Sequence, residues 1–179
     1  MQLNNPCLKS VGRGYVTTPY KIKSAALKIA SIIFLSLTIF TVHAQTTDID
    51  VKQLNLDKRI AINGYDVVAY FTVGKGVDGS SKISYTLNGV TYYFASDANR
   101  QLFIKQPAKY LPQYGGWCAY AMATKGEKVE IDPQTFKIVN GKLLLFYNKF
   151  FNNTLTTWNK NETALLPKAD ANWSKIVKK

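Results

Sequence analysis

Residues 90–94, "VTYYF", alternate with a period of two: Val90, Tyr92 and Phe94 fall on one side, Thr91 and Tyr93 on the other. That period is the mark of a strand with one buried face. The β-prone run "KISYTL" precedes it, joined through Asn88-Gly89, the pair that best supplies the positive φ angles of a type I′ turn. A hairpin is therefore predicted. "FKIVNGKLLLFYN" repeats the arrangement around Asn140-Gly141. After the first hairpin the period lengthens. Ser96 stands where a helix N-cap belongs, with Asp97 in the first turn to meet the positive end of the helix dipole. Ala98, Leu102 and Phe103 are then predicted to form the buried side of a short helix, and Pro107 starts one more turn carrying Tyr110. "WCAYAMATKGE" predicts a short helix ending near Gly126, and "INGYDVVAYF" a turn at Asn63-Gly64 followed by an apolar segment. Residues 149–163 and 167–178 read as two helices parted by Pro167, which disfavours a helix interior. The expected class is α+β: one small domain of two β-hairpins with short helices packed on them.

The first 57 residues follow another logic. Lys21, Lys23 and Lys28 precede the apolar run "IASIIFLSLTIFTV", which ends in "VHAQ". A basic stretch, a roughly 14-residue apolar core and small residues at the cut describe a secretory signal. Residues 1–44 are thus read as a signal with an extended basic region, cut after Ala44. Residues 45–57 are read as a mobile polar leader, and 58–179 as the domain. The apolar run is shorter than the ~20 residues that span a bilayer, so no permanent membrane anchor is expected after cleavage. Export to a bacterial periplasm or the cell exterior is the expected location. The signal holds five of the 23 basic residues and none of the 11 acids, which lowers the formal charge from +12 to +7. The remaining lysines are scattered rather than striped, which argues against nucleic-acid binding.

Cysteine and histidine narrow the chemistry further. Cys7 and His43, the only histidine, lie in the signal, leaving Cys118 as the one thiol of the domain. No internal disulfide, Ser-His-Asp triad, Cys-His dyad or histidine-ligated metal site is then available within one chain. The domain reads as non-enzymatic.

The blocks "NGYDVVAYF", "YTLNGVTYYFAS", "FIKQPAKYLPQYGGWCAYA", "IDPQTFKIVNGKLLLFYN" and "KADANW" occur in an order that resembles the YHS domain family, in its exported single-domain branch. The resemblance covers about residues 58–175. It implies a YHS-like scaffold. It also implies where metal-associated relatives, the TRASH-type and copper-ATPase-associated modules, carry cysteines: at the places held here by Ala95 and Asn99, with another near "DVVAY". This chain has no cysteine at any of them. The family's metal function is not expected to carry over.

What remains are candidates around "NGYD" and "YGGWCAYA". In the leading reading they frame a pocket for an unidentified small ligand or protein. Asp66 is its polar contact, Tyr114 and Trp117 its apolar walls, and Cys118 the reactive or coordinating atom, with Tyr65 and Tyr120 as further candidate contacts. Cys118 at a helix start would have its thiol activated by the dipole; a small buried residue is the plainer account. Asp66 likewise has a plainer account as a turn or cap residue. Copper is the one cofactor considered: Cys118 and Met122, four residues apart, put two soft sulfurs on one helical face, a set suited to monovalent copper. A thiol-dependent redox protein using Cys118, and a surface interaction or assembly protein using its tyrosine-rich face, are the alternatives.

Overall fold

Four two-residue turns, each with both central residues at positive φ, organise the strands in the computed structural model, which describes residues 50–178. Asn88-Gly89 (φ 50° and 78°) joins β3 (Ser80–Leu87) to β4 (Val90–Phe94). Asn140-Gly141 (50° and 73°) joins β5 (Asp132–Val139) to β6 (Lys142–Phe146), as its sequence predicts. Two further hairpins were not expected. Lys58-Arg59 joins β1 (Leu56–Asp57) to β2 (Ile60–Ala61), and Phe150-Phe151 joins β7 (Asn148–Lys149) to β8 (Asn152–Asn153). Two-residue strands carry no readable period, and these turns contain no glycine. The signal and its cut after Ala44 lie outside the described residues.

The larger sheet runs in the order β1-β2-β4-β3, antiparallel except where β2 meets β4. Its presence corrects the reading of residues 45–57 as a wholly mobile leader. Val51–Gln53 make a helical turn, and β1 pairs with β2. The Asn55 N–H donates to the Gly115 carbonyl at 2.8 Å, and the Trp117 Nε1–H donates to the Gln53 carbonyl at 2.7 Å. The segment looks like a leader because it is polar, but backbone groups of Gln53 and Asn55 are paired with the Trp117 indole and the Gly115 carbonyl.

The helices are α1 (Ala69–Thr72), α2 (Asp97–Lys105), α3 (Pro107–Tyr110), α4 (Ala119–Thr124), α5 (Thr154–Lys160) and α6 (Glu162–Val177). Ser96 caps α2 as predicted, its Oγ accepting the Asn99 N–H at 3.2 Å. The inward face of α2 differs from the expected one. Phe103 is buried, but Ala98 and Leu102 are exposed, because the face turned to the core carries Asn99 and Phe103 instead. The boundary between the last two helices also moves. Pro167 lies inside α6, and the break falls at Asn161, whose φ of −144° ends α5. One missing N–H is tolerated because Leu165 and Ala169, on either side of the proline, are buried together.

Two buried clusters share β6. Leu143 and Leu145 point into the first, with Val67, Val68, Tyr70, Tyr92, Phe94, Phe103 and Cys118. Leu144 and Phe146 point into the second, with Ala119, Met122, Trp158, Leu165 and Ala169. A strand buried on both faces reads as a continuous apolar run, which "LLLF" is. At the rim of the second cluster, Lys137 Nζ and Trp158 Nε1 both donate to Glu162 Oε2, at 2.6 and 2.8 Å. The hydrogen bond from Lys137 holds the Glu162 carboxyl below its ordinary value of 4.5; partial burial opposes this, and Trp158 and the lysine charge add to it. A carboxyl lowered in the fold stabilises it above the unfolded value, and that contribution is lost as pH falls through the folded value. Glu162→Gln is therefore expected to flatten the acid limb of a stability-against-pH profile below pH 4.5, with little change in the slope near neutrality.

Candidate functional site

"NGYD" and "YGGW" fold alike. Ile62, Asn63 and Gly64 (φ 47°, 52°, 84°) and Tyr114, Gly115 and Gly116 (55°, 62°, 85°) each make three successive left-handed residues. For Ile62 and Tyr114 this conformation is unfavourable, and burial of both side chains holds it in place.

The first turn delivers Asp66 to the interior, where it is fully buried. Its Oδ1 accepts the Val68 N–H at 2.8 Å and the Ala69 N–H at 3.3 Å, which caps the start of α1. Its Oδ2 accepts the Ala95 N–H at 2.8 Å and the Asn99 amide Nδ2 at 2.7 Å. One carboxylate thus ties α1, the end of β4 and the face of α2 together, with both oxygens engaged. Composition and period gave no sign that Asn99 belongs to this corner. The signal lay in the resemblance, which had singled out Ala95 and Asn99 as places of missing cysteines. Tyr65 beside it is half-buried and its hydroxyl receives the Gln134 amide at 3.4 Å.

The second turn is packed rather than open. The Tyr114 phenol is buried and donates to Asp170 Oδ1 of α6 at 2.9 Å. Burial first, then the carboxylate that accepts its proton, push this phenol well above its ordinary value of 10, so it stays neutral. Gly115 has no room for a side chain: a Cβ there would stand 2.7 Å from Trp173 and 3.1 Å from Leu54. Trp117 is half-buried with its indole nitrogen spent on Gln53, and Lys128 lies 5.9 Å above its ring. Tyr120 is half-buried and packs against both clusters.

Cys118 is the N-cap of α4, which agrees with the expected helix start, but it has no exposure to solvent. Its Sγ receives the Tyr147 N–H at 3.4 Å and lies 3.5 Å from Thr154 Oγ1. Met122 is equally buried and belongs to the other cluster. An open depression of about 300 Å³ does lie beside "NGYD", between Asp57, Asn63, Asp78 and Tyr93, and residues 114–122 contribute nothing to its lining. The structure therefore brings Asp66 to Ala95 and Asn99, and does not bring the two motifs into one pocket. The residues do not make a metal site either. Both sulfurs are sealed, the Asp66 oxygens are taken, and no three His, Cys, Asp or Glu side chains converge among the described residues.

No family model, curated protein or solved structure matches the chain.

Proposed function

We propose that this chain is an exported, non-enzymatic binding domain on a YHS-like scaffold, acting through its surface rather than through its thiol. The observation that carries the reading is the corner at Asp66. Where the resembled metal modules would place thiolates, this chain has a buried carboxylate bonded to the Ala95 backbone and the Asn99 amide. A hydrogen-bonded brace takes over the cross-linking that an ion would otherwise provide, and the corner needs no ligand. With Cys118 enclosed, neither a nucleophilic thiol nor a two-sulfur copper site has an approach route. Recognition is then left to exposed features.

Thiol titration tests this directly. In residues 47–179, one compact unit that contains Cys118 and not Cys7, a thiol reagent is expected to react at least about a thousand-fold more slowly in the native than in the unfolded protein. Monovalent copper is expected to leave the native rate unchanged. Rapid native labelling, or protection by copper, would return the thiol to the centre of the function.

A further inference from the structure

Three of the four hairpin turns account for their own residues. Asn-Gly at 88–89 and 140–141 adopts the left-handed pair at little cost. In Lys58-Arg59, the Arg59 Nη1 donates to the Gly89 carbonyl at 3.0 Å and so helps hold a neighbouring turn. Phe150-Phe151 has no comparable reason. Two bulky residues sit at φ 52° and 61°, where such side chains are outliers. The two residues are 88% and 111% exposed, so burial does not repay the strain. β7 and β8 hold them there through the pairs Asn148–Asn153 and Lys149–Asn152. Strain imposed on a tip by the surrounding structure points to use of that tip.

We propose that the Phe150-Phe151 tip is a wedge that enters the headgroup–acyl boundary of an anionic lipid surface. Size and shape favour lipid over a protein groove. Two phenylalanine rings offer roughly 300–500 Å² together, well short of the ~800 Å² per partner of a standard interface. The flanks cannot extend the patch: Asn148, Lys149, Asn152 and Thr156 are polar. A lipid boundary needs no apolar rim, and there the polar flanks meet the headgroups while the rings enter the acyl edge. Charge agrees. Lys149 directly precedes the tip, and the chain outside the signal carries +7, which draws it toward anionic lipid. Two rings at a turn tip reach no deeper than the headgroup–acyl boundary, so the attachment made by this tip is peripheral. The inference takes up the surface-binding reading above but is tested apart from it. A reactive Cys118 would overturn that reading and leave the vesicle result standing.

The test is cosedimentation of residues 47–179 with vesicles of mixed phosphatidylglycerol and phosphatidylcholine, and of phosphatidylcholine alone, at low and high salt. Binding to the anionic vesicles, weakened by salt, is expected. Phe150→Asn/Phe151→Gly installs the turn pair used elsewhere in the chain, and is expected to lower vesicle partitioning at least about ten-fold with Tm unchanged or raised. Four outcomes would overturn the proposal. The wild-type protein fails to bind anionic vesicles; the double variant binds them as well as wild type, which marks charge attraction alone; Tm falls by several degrees, which assigns the rings to the fold; or the variant abolishes a concentration-dependent dimer, which makes a second copy the occupant.

Discussion

Asp66→Ala is expected to destabilise the fold by about 3–5 kcal/mol, read as a shift in the urea midpoint at unchanged slope. The substitution leaves the buried Val68 N–H and the partly buried Ala95 N–H and Asn99 amide without their acceptor, while the Ala69 N–H keeps the Asp66 backbone carbonyl at 3.2 Å. Each buried donor left unmet costs about 1–3 kcal/mol, less where a water enters the space. The total is a large share of the ~5–15 kcal/mol that holds a domain together. Asp66→Asn keeps the shape but can satisfy only one side: with its amide nitrogen at the Oδ2 place, it turns a donor toward two donors. It is expected to lose somewhat less, about 2–3 kcal/mol. Asn99→Ala removes one charge-assisted bond, about 1.5–3 kcal/mol. A loss below about 1 kcal/mol for Asp66→Ala would mean that the carboxylate is not the brace, and would reopen it as a ligand contact.

Trp158→Ala should be as severe, about 3–5 kcal/mol, or roughly 10–20 °C in Tm. The indole is completely buried and packs edge-on against Phe146 with ring centres 5.4 Å apart. It also donates to Glu162, so its removal both opens a cavity and takes one donor from that carboxylate. Trp158→Phe retains much of the volume and loses the hydrogen bond. Its penalty is expected to be about half as large, and a thermal melt separates the two variants.

The parts of the fold that sequence announced are those where local chemistry and packing agree. Asn88-Gly89, Asn140-Gly141, the alternation from Val90 to Phe94 and the Ser96 cap are each decided within a few residues, and each occurs as read. The parts that stayed hidden are decided by distant partners. Leu102 looks like a core residue on α2, yet it is Asn99 that turns inward, because Asp66, 33 positions earlier, is there to receive it. Pro167 looks like a helix end, but Leu165 and Ala169 bury around it. Residues 51–57 look like leader until Gly115 and Trp117 arrive to bond them. The candidate site follows the same rule. Asp66 was legible as a cap, whereas its second pair of partners arises only when β4 and α2 meet α1, and the enclosure of Cys118 only when β6 and α5 close over α4.

The double-sided burial of β6 also sets an order of events during biosynthesis. Its first face is matched by residues already made, but the cover of Leu144 and Phe146 is only begun by Ala119 and Met122 and is completed by Trp158, Leu165 and Ala169, which the ribosome supplies after β6. A nascent chain halted after β6 therefore displays a half-covered apolar ridge, the kind of segment that holdase chaperones grip. Closure begins with Trp158 of α5 and is completed by α6, whose Asp170 also accepts the Tyr114 phenol's hydrogen bond. Removing α6 by a protease or an early stop codon would thus strip Leu165 and Ala169 from the second cluster, leaving α5 alone over β6 and favouring aggregation of the fragment.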